Sequence, residues 1–283
     1  MPSTPIYAYL GPQGTFSHEA MRKFAERESG PFEELECGSI EEVFEMVDRG
    51  RASYGVAPIE NALEGAVTST LDTLSFNSNA EIVAETIIDI HHCLVAAPGT
   101  KATDIRRIIS HPQPVGQCRR YLQMNYPGIE VLPASSTADS VRAALAEPGA
   151  AGIASRFAAE VYGGEIIDEN IEDHFGNQTR FILVGHDKVA RTGNDKTTLA
   201  LFMQQDRSGV LNMILGEFAF AGINMTYVQS RPLKRALGEY MFFVDVEGHV
   251  DDAPLRTALD CLRMKLREVR VLGSYPAYPK SED

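Results

Sequence analysis

Residues 39–61 have the sequence SIEEVFEMVDRGRASYGVAPIEN, in which a helical pattern is followed by the pattern of a buried strand. The helix is predicted to begin at Ser39, because Ser39-Ile40-Glu41-Glu42 has the form of a capping box. The apolar residues that recur at the spacing of one helix face are Ile40, Val43, Phe44 and Val47. Tyr54 to Ala57 is a short apolar run, which indicates a strand inside a sheet.

The same alternation of apolar runs and helical patterns extends on both sides of this stretch. Tyr7 to Leu10 is a predicted strand, and the turn Gly11-Pro12-Gln13-Gly14 leads into a helix that Thr15 or Ser17 can cap. Further strands are predicted at Ile82 to Ile90, Cys93 to Ala97, Ile105 to Ile109, Ile129 to Leu132 and Ala151 to Ala154, with helices that begin near Gln113 and after Ser136. This order predicts an α/β fold with mainly parallel strands and a ligand site at their carboxyl ends.

The domain organisation follows from a change in this order. Arg180 to Val184 is the last strand of the alternation, and the polar residues 189–196 are predicted to form a linker. After the linker the predicted order is β-α-β-β-α-β, which is the ferredoxin-like arrangement. We therefore expect a first domain of residues 1–188 and a second domain of residues 197–283. The first domain is expected to have two lobes, one made of residues 1–80 with 170–188 and the other of residues 81–169.

Composition and charge exclude several classes of function. The chain has 26 basic and 39 acidic residues, a formal charge of -13, which disfavours binding to nucleic acid or to an anionic membrane. The cysteines lack any zinc-type spacing, and neighbours in the cluster His91-His92-Cys93 would point to opposite faces of a strand, so no metal site is expected. We expect a cytoplasmic protein with reduced thiols and without a signal peptide or membrane-spanning helix.

Four short blocks carry a resemblance to one enzyme family. They are Tyr9 to Ser17 (YLGPQGTFS), Gly55 to Asn61 (GVAPIEN), Ser110 to Pro114 (SHPQP) and Asn177 to Phe181 (NQTRF). In this order they resemble the signature blocks of monofunctional prephenate dehydratases, and the C-terminal part resembles the ACT regulatory domain of that family. The resemblance implies a two-lobed catalytic domain, similar to periplasmic binding proteins, followed by a ferredoxin-like ACT domain.

The resemblance also implies a reaction in L-phenylalanine biosynthesis, in which prephenate becomes phenylpyruvate, carbon dioxide and water. No metal, nucleotide or flavin cofactor is required by this chemistry. The resemblance assigns the catalytic hydroxyl to Thr179, with Ser110, Gln117, Asn61 and Glu60 as further catalytic or pocket residues. A threonine hydroxyl is as weak an acid as water, so Thr179 is expected to donate a hydrogen bond to the leaving oxygen. Glu60 is the alternative proton donor if burial raises its pKa.

Substrate binding is expected at the first helix and beside Thr179. The leading N–H groups of the helix after Gly14, with Thr15 and Ser17, suit a carboxylate. Arg180 and Phe181 complete the predicted substrate site. Neighbouring side chains of a regular strand face opposite ways, so either the backbone is irregular at Arg180 or this residue serves the structure. Val115-Gly116 departs from the Phe-Gln that is common in the family, which affects the alignment of Gln117.

Two blocks of the second domain resemble the phenylalanine-binding blocks of family ACT domains. They are Gly209-Val210-Leu211-Asn212 and Gln229-Ser230-Arg231-Pro232, and Asn224 is a further polar candidate. Gln229 stands where the family usually has Glu. The family binds phenylalanine between two ACT domains, so a homodimer or homotetramer is expected, in which phenylalanine closes or misaligns the catalytic lobes.

Other functions remain as alternatives. A non-catalytic amino-acid sensor would have the same architecture, and the sequence does not separate prephenate from arogenate as the substrate. A prephenate dehydrogenase is disfavoured, because Gly11-Pro12-Gln13-Gly14 lacks the G-x-G-x-x-G spacing that binds a pyrophosphate. A fused mutase is disfavoured because the first strand is expected near Ile6.

Overall fold

The computed structural model describes residues 4–28, 30–204, 208–233 and 240–279, and these form two β-sheets with helices on their faces. The strands are β1 (Ile6–Leu10), β2 (Glu33–Cys37), β3 (Tyr54–Asn61), β4 (Gly65–Ala66), β5 (Glu81–Asp89), β6 (Cys93–Ala96), β7 (Arg107–Ser110), β8 (Glu130–Pro133), β9 (Ala150–Ala154), β10 (Glu165–Asp168), β11 (Gln178–Gly185), β12 (Asp195–Phe202), β13 (Met225–Pro232), β14 (Tyr240–Glu247) and β15 (Glu268–Pro276). The α-helices are α1 (Phe16–Ala25), α2 (Ile40–Asp48), α3 (Thr68–Asp72), α4 (Pro112–Gln117), α5 (Arg119–Asn125), α6 (Thr137–Ala146), α7 (Arg156–Tyr162), α8 (Val210–Phe220) and α9 (Ala253–Lys265). A π-helical turn spans Thr73–Asn77, and a 3-10 turn spans Ala102–Asp104.

The first lobe is a mixed sheet in the order β2-β1-β3-β11-β5. Helix α1 covers one face with Met21 and Phe24, while α2 covers the other with Phe44 and Val47. The predicted helix start is confirmed, since the Ser39 hydroxyl accepts a hydrogen bond from the N–H of Glu42 at 3.1 Å. β1 is parallel to β2 and β3, but β11 is antiparallel to β3 and β5. The expectation of mainly parallel strands is wrong, because the chain leaves this lobe along β5 and returns along β11.

The second lobe has the sheet order β10-β6-β9-β7-β8, with helices α4 to α7 around it. Its strands are also mixed, since β7 is parallel to β8 and β9 whereas β6 is antiparallel to β9 and β10. Strand β5, which we expected in this lobe, pairs with β11 along its length and belongs to the first lobe. The lobe boundary therefore lies after β5 and not before it.

The C-terminal domain has the predicted order β12-α8-β13-β14-α9-β15, and its ferredoxin-like fold is confirmed. Its sheet has the strand order β13-β14-β12-β15. Helices α8 and α9 cover one face of this sheet, where Ile214, Phe218 and Leu259 pack against Leu201 and Val244. The end of the predicted domain, residues 280–283, lies outside the described residues.

The second domain is joined to the first lobe by a continuous sheet and by a common core. β15 runs beside β5, so that one ten-stranded sheet passes through both domains. Gly273 permits this approach, because a Cβ at this position would lie 2.3 Å from the carbonyl oxygen of Ile82. The face of the C-terminal sheet opposite α8 and α9 packs onto α3 and the π-helical turn. The buried apolar residues of this shared core include Leu71, Leu74, Ile182, Phe202, Met241, Phe243, Leu272 and Tyr275.

We predict that Leu74→Ala lowers the free energy of unfolding by about 2–5 kcal/mol, because it opens a cavity in the core shared by the two domains. Chemical denaturation followed by circular dichroism would measure this change. Met124→Ala is the control, since Met124 is 79% exposed on α5 and its truncation is expected to cost less than about 0.5 kcal/mol. Equal effects of the two substitutions would contradict the shared core.

Candidate active site

Thr179 and Asn61 form the centre of the site, at the ends of the paired strands β11 and β3. The Asn61 Nδ2 group donates to Thr179 Oγ1 and to Asn177 Oδ1, each at 2.9 Å. The Asn61 Oδ1 atom accepts from the N–H groups of Leu63 and Glu64, each at 3.0 Å, which fixes the orientation of the amide. Because the Thr179 oxygen accepts from Asn61, its own proton is available to a bound substrate.

The second lobe approaches this centre from the opposite side. Gln113 Nε2 of α4 donates to Glu64 Oε1 at 2.5 Å, and the Tyr162 hydroxyl of α7 donates to the Gln13 carbonyl at 2.7 Å. Ser110 lies at the end of β7 and is buried, and its hydroxyl donates to the His111 carbonyl at 3.1 Å. The two lobes therefore meet beside the Thr179–Asn61 pair, and we take the space between the Thr179 strand and the segment from Ser110 to Gln117 as the candidate cleft.

Gln117 is oriented by His92, a residue that sequence reasoning did not assign to the site. His92 Nε2 lies 2.7 Å from Gln117 Oε1. The His92 ring also packs edge-on against Phe16 of the first lobe, with the two ring centroids 6.3 Å apart. A carboxamide oxygen only accepts hydrogen bonds, so His92 Nε2 carries the proton. Burial lowers the pKa of His92, which keeps the ring neutral. The Gln117 amino group then takes no part in the contact with His92.

In the cluster His91-His92-Cys93 the two histidine side chains have different surroundings, but both residues lie in the connection between β5 and β6 and not in a strand. The His91 side chain is half exposed and lies 2.7 Å from Glu172 Oε1, whereas His92 is buried on the side of Gln117. No group of His, Cys, Asp or Glu residues suited to hold a metal ion is found in the described part of the chain. The signal for His92 in the sequence was its place directly before β6, where the chain crosses between the lobes.

The first helix begins beside the cleft, but Thr15 serves the fold. Its hydroxyl accepts from the N–H of His18 at 3.3 Å and donates to the Pro12 carbonyl at 2.9 Å, so it caps the helix. His18 in turn accepts from the N–H of Gly14 at 3.0 Å and stacks on Tyr9. Ser17 is buried in the first turn of α1. The structure therefore brings the predicted residues near the cleft, while the Thr15 oxygen already has partners.

Glu60, Arg180 and Phe181 are not placed beside the Thr179 hydroxyl. Glu60 and Arg180 are register partners on the face opposite Asn61 and Thr179, and their charged groups are 3.9 Å apart. Arg180 is bound to Glu85 and to Asp245 of the second domain. Phe181 is buried in the core beneath α1. The predicted binding of substrate by Arg180 and Phe181 is therefore not supported, because strand alternation directs Arg180 away from the cleft and Phe181 into the core.

The two predicted phenylalanine blocks meet at a cavity of about 370 Å³ in the second domain. Its lining residues are Met203, Gly209, Val210, Leu211, Asn212, Ser230, Tyr240 and Phe242. Asn224, Gln229, Arg231 and Pro232 are not part of this lining. Alternation along β13 explains the absence of Gln229 and Arg231, since Ser230 faces the cavity while Arg231 faces the first lobe and binds Asp72 at 2.5 Å.

These features define a two-lobed α/β enzyme with an appended small-molecule-sensing domain. Comparison with known proteins identifies the family. Residues 7–189 match the prephenate dehydratase family and residues 197–260 match the ACT domain. The chain belongs to the prephenate dehydratase family, as the sequence blocks predicted.

Similar proteins cover nearly the whole chain. A prephenate dehydratase of Methanocaldococcus jannaschii is 38% identical over 95% of this chain and 97% of its own length. The crystal structure of prephenate dehydratase in complex with L-Phe from Arthrobacter aurescens is 35% identical, with a TM-score of 0.85 over 96% of this chain and 90% of that one. A solved structure described as GqqA, a novel type of quorum quenching acylase, is 31% identical, with a TM-score of 0.85 over 97% and 98%. In the described part of the chain, no helix is long and apolar enough to cross a membrane.

We predict that His92→Leu lowers kcat/KM for prephenate about fivefold, because the hydrogen bond that orients Gln117 is worth about 1 kcal/mol. His92→Gln is expected to restore most of the activity, since its amide N–H can replace the imidazole N–H. His91→Leu is the matched control, because His91 does not contact Gln117. A further loss from His92→Leu in a Gln117→Ala background would show that His92 does not act through Gln117.

Proposed function

We propose that the cleft removes the hydroxyl and the ring carboxylate of prephenate to give phenylpyruvate, carbon dioxide and water. The proposal rests on one observation above the others: Thr179 Oγ1 accepts a hydrogen bond from Asn61 at 2.9 Å, which leaves its proton free for the leaving oxygen. Formation of the aromatic ring drives the reaction, so the protein has to position the dianion and assist the departing hydroxyl. The enzyme is a carbon–oxygen lyase.

Asn61 supports this role of Thr179 in two ways. Its amide holds the threonine oxygen in place, and its bond polarises the hydroxyl, since hydrogen bonds in a chain strengthen one another. The threonine acts as a hydrogen-bond donor that becomes stronger as negative charge develops on the leaving oxygen.

The orientation of Arg180 suits a decarboxylation. A cation pressed against the ring carboxylate would stabilise the ground state and slow the loss of carbon dioxide. Arg180 is adjacent to Thr179 in sequence, yet its guanidinium is directed to Glu85 and Asp245 on the other face. We propose that neutral donors hold the substrate instead, from Gln117, Ser110 and the first N–H groups of α1, where Ser17 lies.

Glu60 is the weaker candidate for the proton donor. Burial raises the pKa of this carboxyl, although Arg180 opposes the effect. Glu60 nevertheless lies on the face opposite Thr179 and Asn61, so it would have to donate through the strand. We therefore assign the donor role to Thr179.

An acylase is disfavoured by the same geometry. A hydrolytic nucleophile needs a base within hydrogen-bond reach. Among the described residues, the Ser110 hydroxyl is bonded to the His111 carbonyl and Thr179 to the Asn61 amide, and neither group is a base. A non-catalytic amino-acid sensor has no such requirement, and turnover of prephenate separates it from the enzyme.

We propose that L-phenylalanine binds the cavity between Gly209 and Phe242 and inhibits the enzyme. The cavity is bordered by exposed apolar side chains, which suits contact with the ACT domain of a second copy. These side chains are Leu211, Leu215, Val228 and Tyr240. A homodimer or homotetramer in the cytoplasm is consistent with this surface and with four free cysteines.

Thr179→Ala is predicted to lower kcat for prephenate by about 10²-fold, the scale of one positioned proton donor. Phenylpyruvate formation by the purified protein would measure this loss, with arogenate tested in parallel to decide between the two substrates. Thr179→Ser keeps the hydroxyl and is the control, for which most of the activity should remain. Activity of Thr179→Ala close to that of the unaltered protein would refute the assignment, and no turnover by the unaltered protein would favour the sensor.

Gly209→Ala is predicted to weaken inhibition by phenylalanine about tenfold, because Gly209 has a φ of 87° at the edge of the cavity and an alanine there is strained by about 1–2 kcal/mol. Gly222→Ala is a matched control: Gly222 has a φ of 69° beyond the other end of α8 and does not line the cavity. Calorimetric titration with phenylalanine would measure both affinities. Equal losses in the two variants would show that the cavity is not the binding site.

A further inference from the structure

A buried ionic cluster connects the ACT domain to the strand that carries Thr179. Arg180 is the next residue on β11 and is 9% exposed. Its Nε donates to Glu85 at 2.7 Å, its Nη1 to Asp245 at 2.5 Å and its Nη2 to the Tyr275 hydroxyl at 2.8 Å. Asp245 and Tyr275 lie on β14 and β15 of the ACT domain. One guanidinium therefore spans the two domains directly behind the catalytic threonine.

Both cations of this cluster, Arg180 and Lys196, are paired with buried carboxylates. Lys196 Nζ donates to Glu85 Oε1 at 2.7 Å, and Thr198 Oγ1 donates to Asp245 Oδ1 at 2.6 Å. Burial by itself would lower the pKa of Arg180, but Asp245, Tyr275 and Glu85 hold it well above its ordinary value, so the guanidinium stays charged. Removing one carboxylate would leave a buried cation without its partner, which is strongly unfavourable. Arg180 must therefore follow any movement of Asp245.

The pairing of β11 with β3 is interrupted at this point, whereas Thr179 and Arg180 pair regularly with Ile88 and Ile87 of β5 on the other side. Arg180 pairs with Glu60 and Phe181 pairs with Pro58, so Ile59 is an extra residue that bulges from β3. A bulge interrupts the regular hydrogen bonding between two strands. The pair Thr179–Asn61 follows immediately on the cleft side of this bulge. The side-chain contacts of Arg180 are therefore well placed to set the position of Thr179.

The other end of the connection lies at the phenylalanine cavity. Tyr240 and Phe242 line the cavity, and Asp245 follows three residues later on the same strand, β14. This separation is roughly 10 Å along a strand. Phe242 faces the ACT helices, whereas Asp245 faces the first lobe. A ligand that moves β14 would consequently move Asp245.

We propose that the Asp245–Arg180 ion pair is the contact through which the ACT domain sets the position of Thr179, which makes Asp245 a positioning residue for the reaction. The inference rests on the proposed function of Thr179 and of the cavity. Phenylalanine inhibits when it shifts β14, since Asp245 then draws Arg180 and the adjoining threonine away from the productive position.

The test uses the full-length protein with Asp245→Asn. We expect kcat to fall about tenfold with KM within about threefold, because positioning acts on turnover more than on binding. Phenylalanine should still bind by calorimetry within about threefold, yet inhibit the remaining activity less than about twofold at saturation, since the coupling between the sites is lost. Full inhibition of this variant by phenylalanine would overturn the proposal.

The control is Asp72→Asn, which removes a different ion pair between the same two domains. Arg231 of β13 binds Asp72 of α3 at 2.5 Å, away from the strand that bears Thr179. This variant should keep normal kcat and normal inhibition. Loss of inhibition in both variants would indicate a general loosening of the domain contact and would reject a specific role for Asp245.

A second experiment distinguishes a positioning role of Asp245 from an effect on the stability of the fold. In a Thr179→Ala background, Asp245→Asn should cause no further loss of kcat, because a positioning residue acts only through the group it positions. An additional tenfold loss in the double variant would contradict the proposal.

If Asp245→Asn does not fold, Tyr275→Phe removes only the hydroxyl that accepts from Arg180 and should weaken inhibition in the same direction. If Thr179→Ala is fully active, the proposed role of Thr179 fails, whereas the inhibition of Asp245→Asn still tests the connection between the domains.

Discussion

The structure depends on the opposite directions of two neighbouring side chains on β11. Thr179 faces Asn61 and the cleft, while Arg180 faces Glu85 and Asp245 in a buried ionic cluster. A regular strand directs neighbouring side chains to opposite sides, so the Arg180 cation points away from the side of the Thr179 hydroxyl. The same alternation places Arg180 where it binds Asp245 of the second domain.

The two domains behave as parts of one packed body. The sheet continues from β5 to β15, and apolar residues of the ACT sheet share a core with α3 and the π-helical turn. Protein interiors are packed too densely to deform smoothly, so a displacement of the ACT sheet is passed on to the elements that it contacts. A regulatory domain attached in this way can act on a catalytic strand without touching the substrate.

The cleft uses neutral donors within an acidic protein. The chain has a formal charge of -13, yet the side chains hydrogen-bonded in a row with Thr179 are the amides of Asn61 and Asn177, and the donors proposed from the second lobe, Gln117 and Ser110, are neutral as well. Carboxylates near the site have structural roles. Glu172, for example, accepts a hydrogen bond from the main-chain N–H of His92 at 2.9 Å. Oriented dipoles of this kind can hold a dianion without stabilising the carboxylate that has to leave.

The sequence by itself determined the α/β alternation, the β-α-β-β-α-β order of the second domain and the helix starts at Ser39 and Ser136, because caps and periodicity are local properties. It also identified the family, since the four blocks can be recognised without their contacts. Only the tertiary structure decided the lobe of β5, the roles of Thr15, Arg180 and Arg231, and the partner of Gln117. A carboxylate inside an apolar strand, such as Asp245 in YMFFVDVE, indicates that a buried partner exists, but not which one. Which strands pair, and to which side their residues point, depends on contacts between residues far apart in the chain. Periodicity indicates which residues are buried but not which residues they contact.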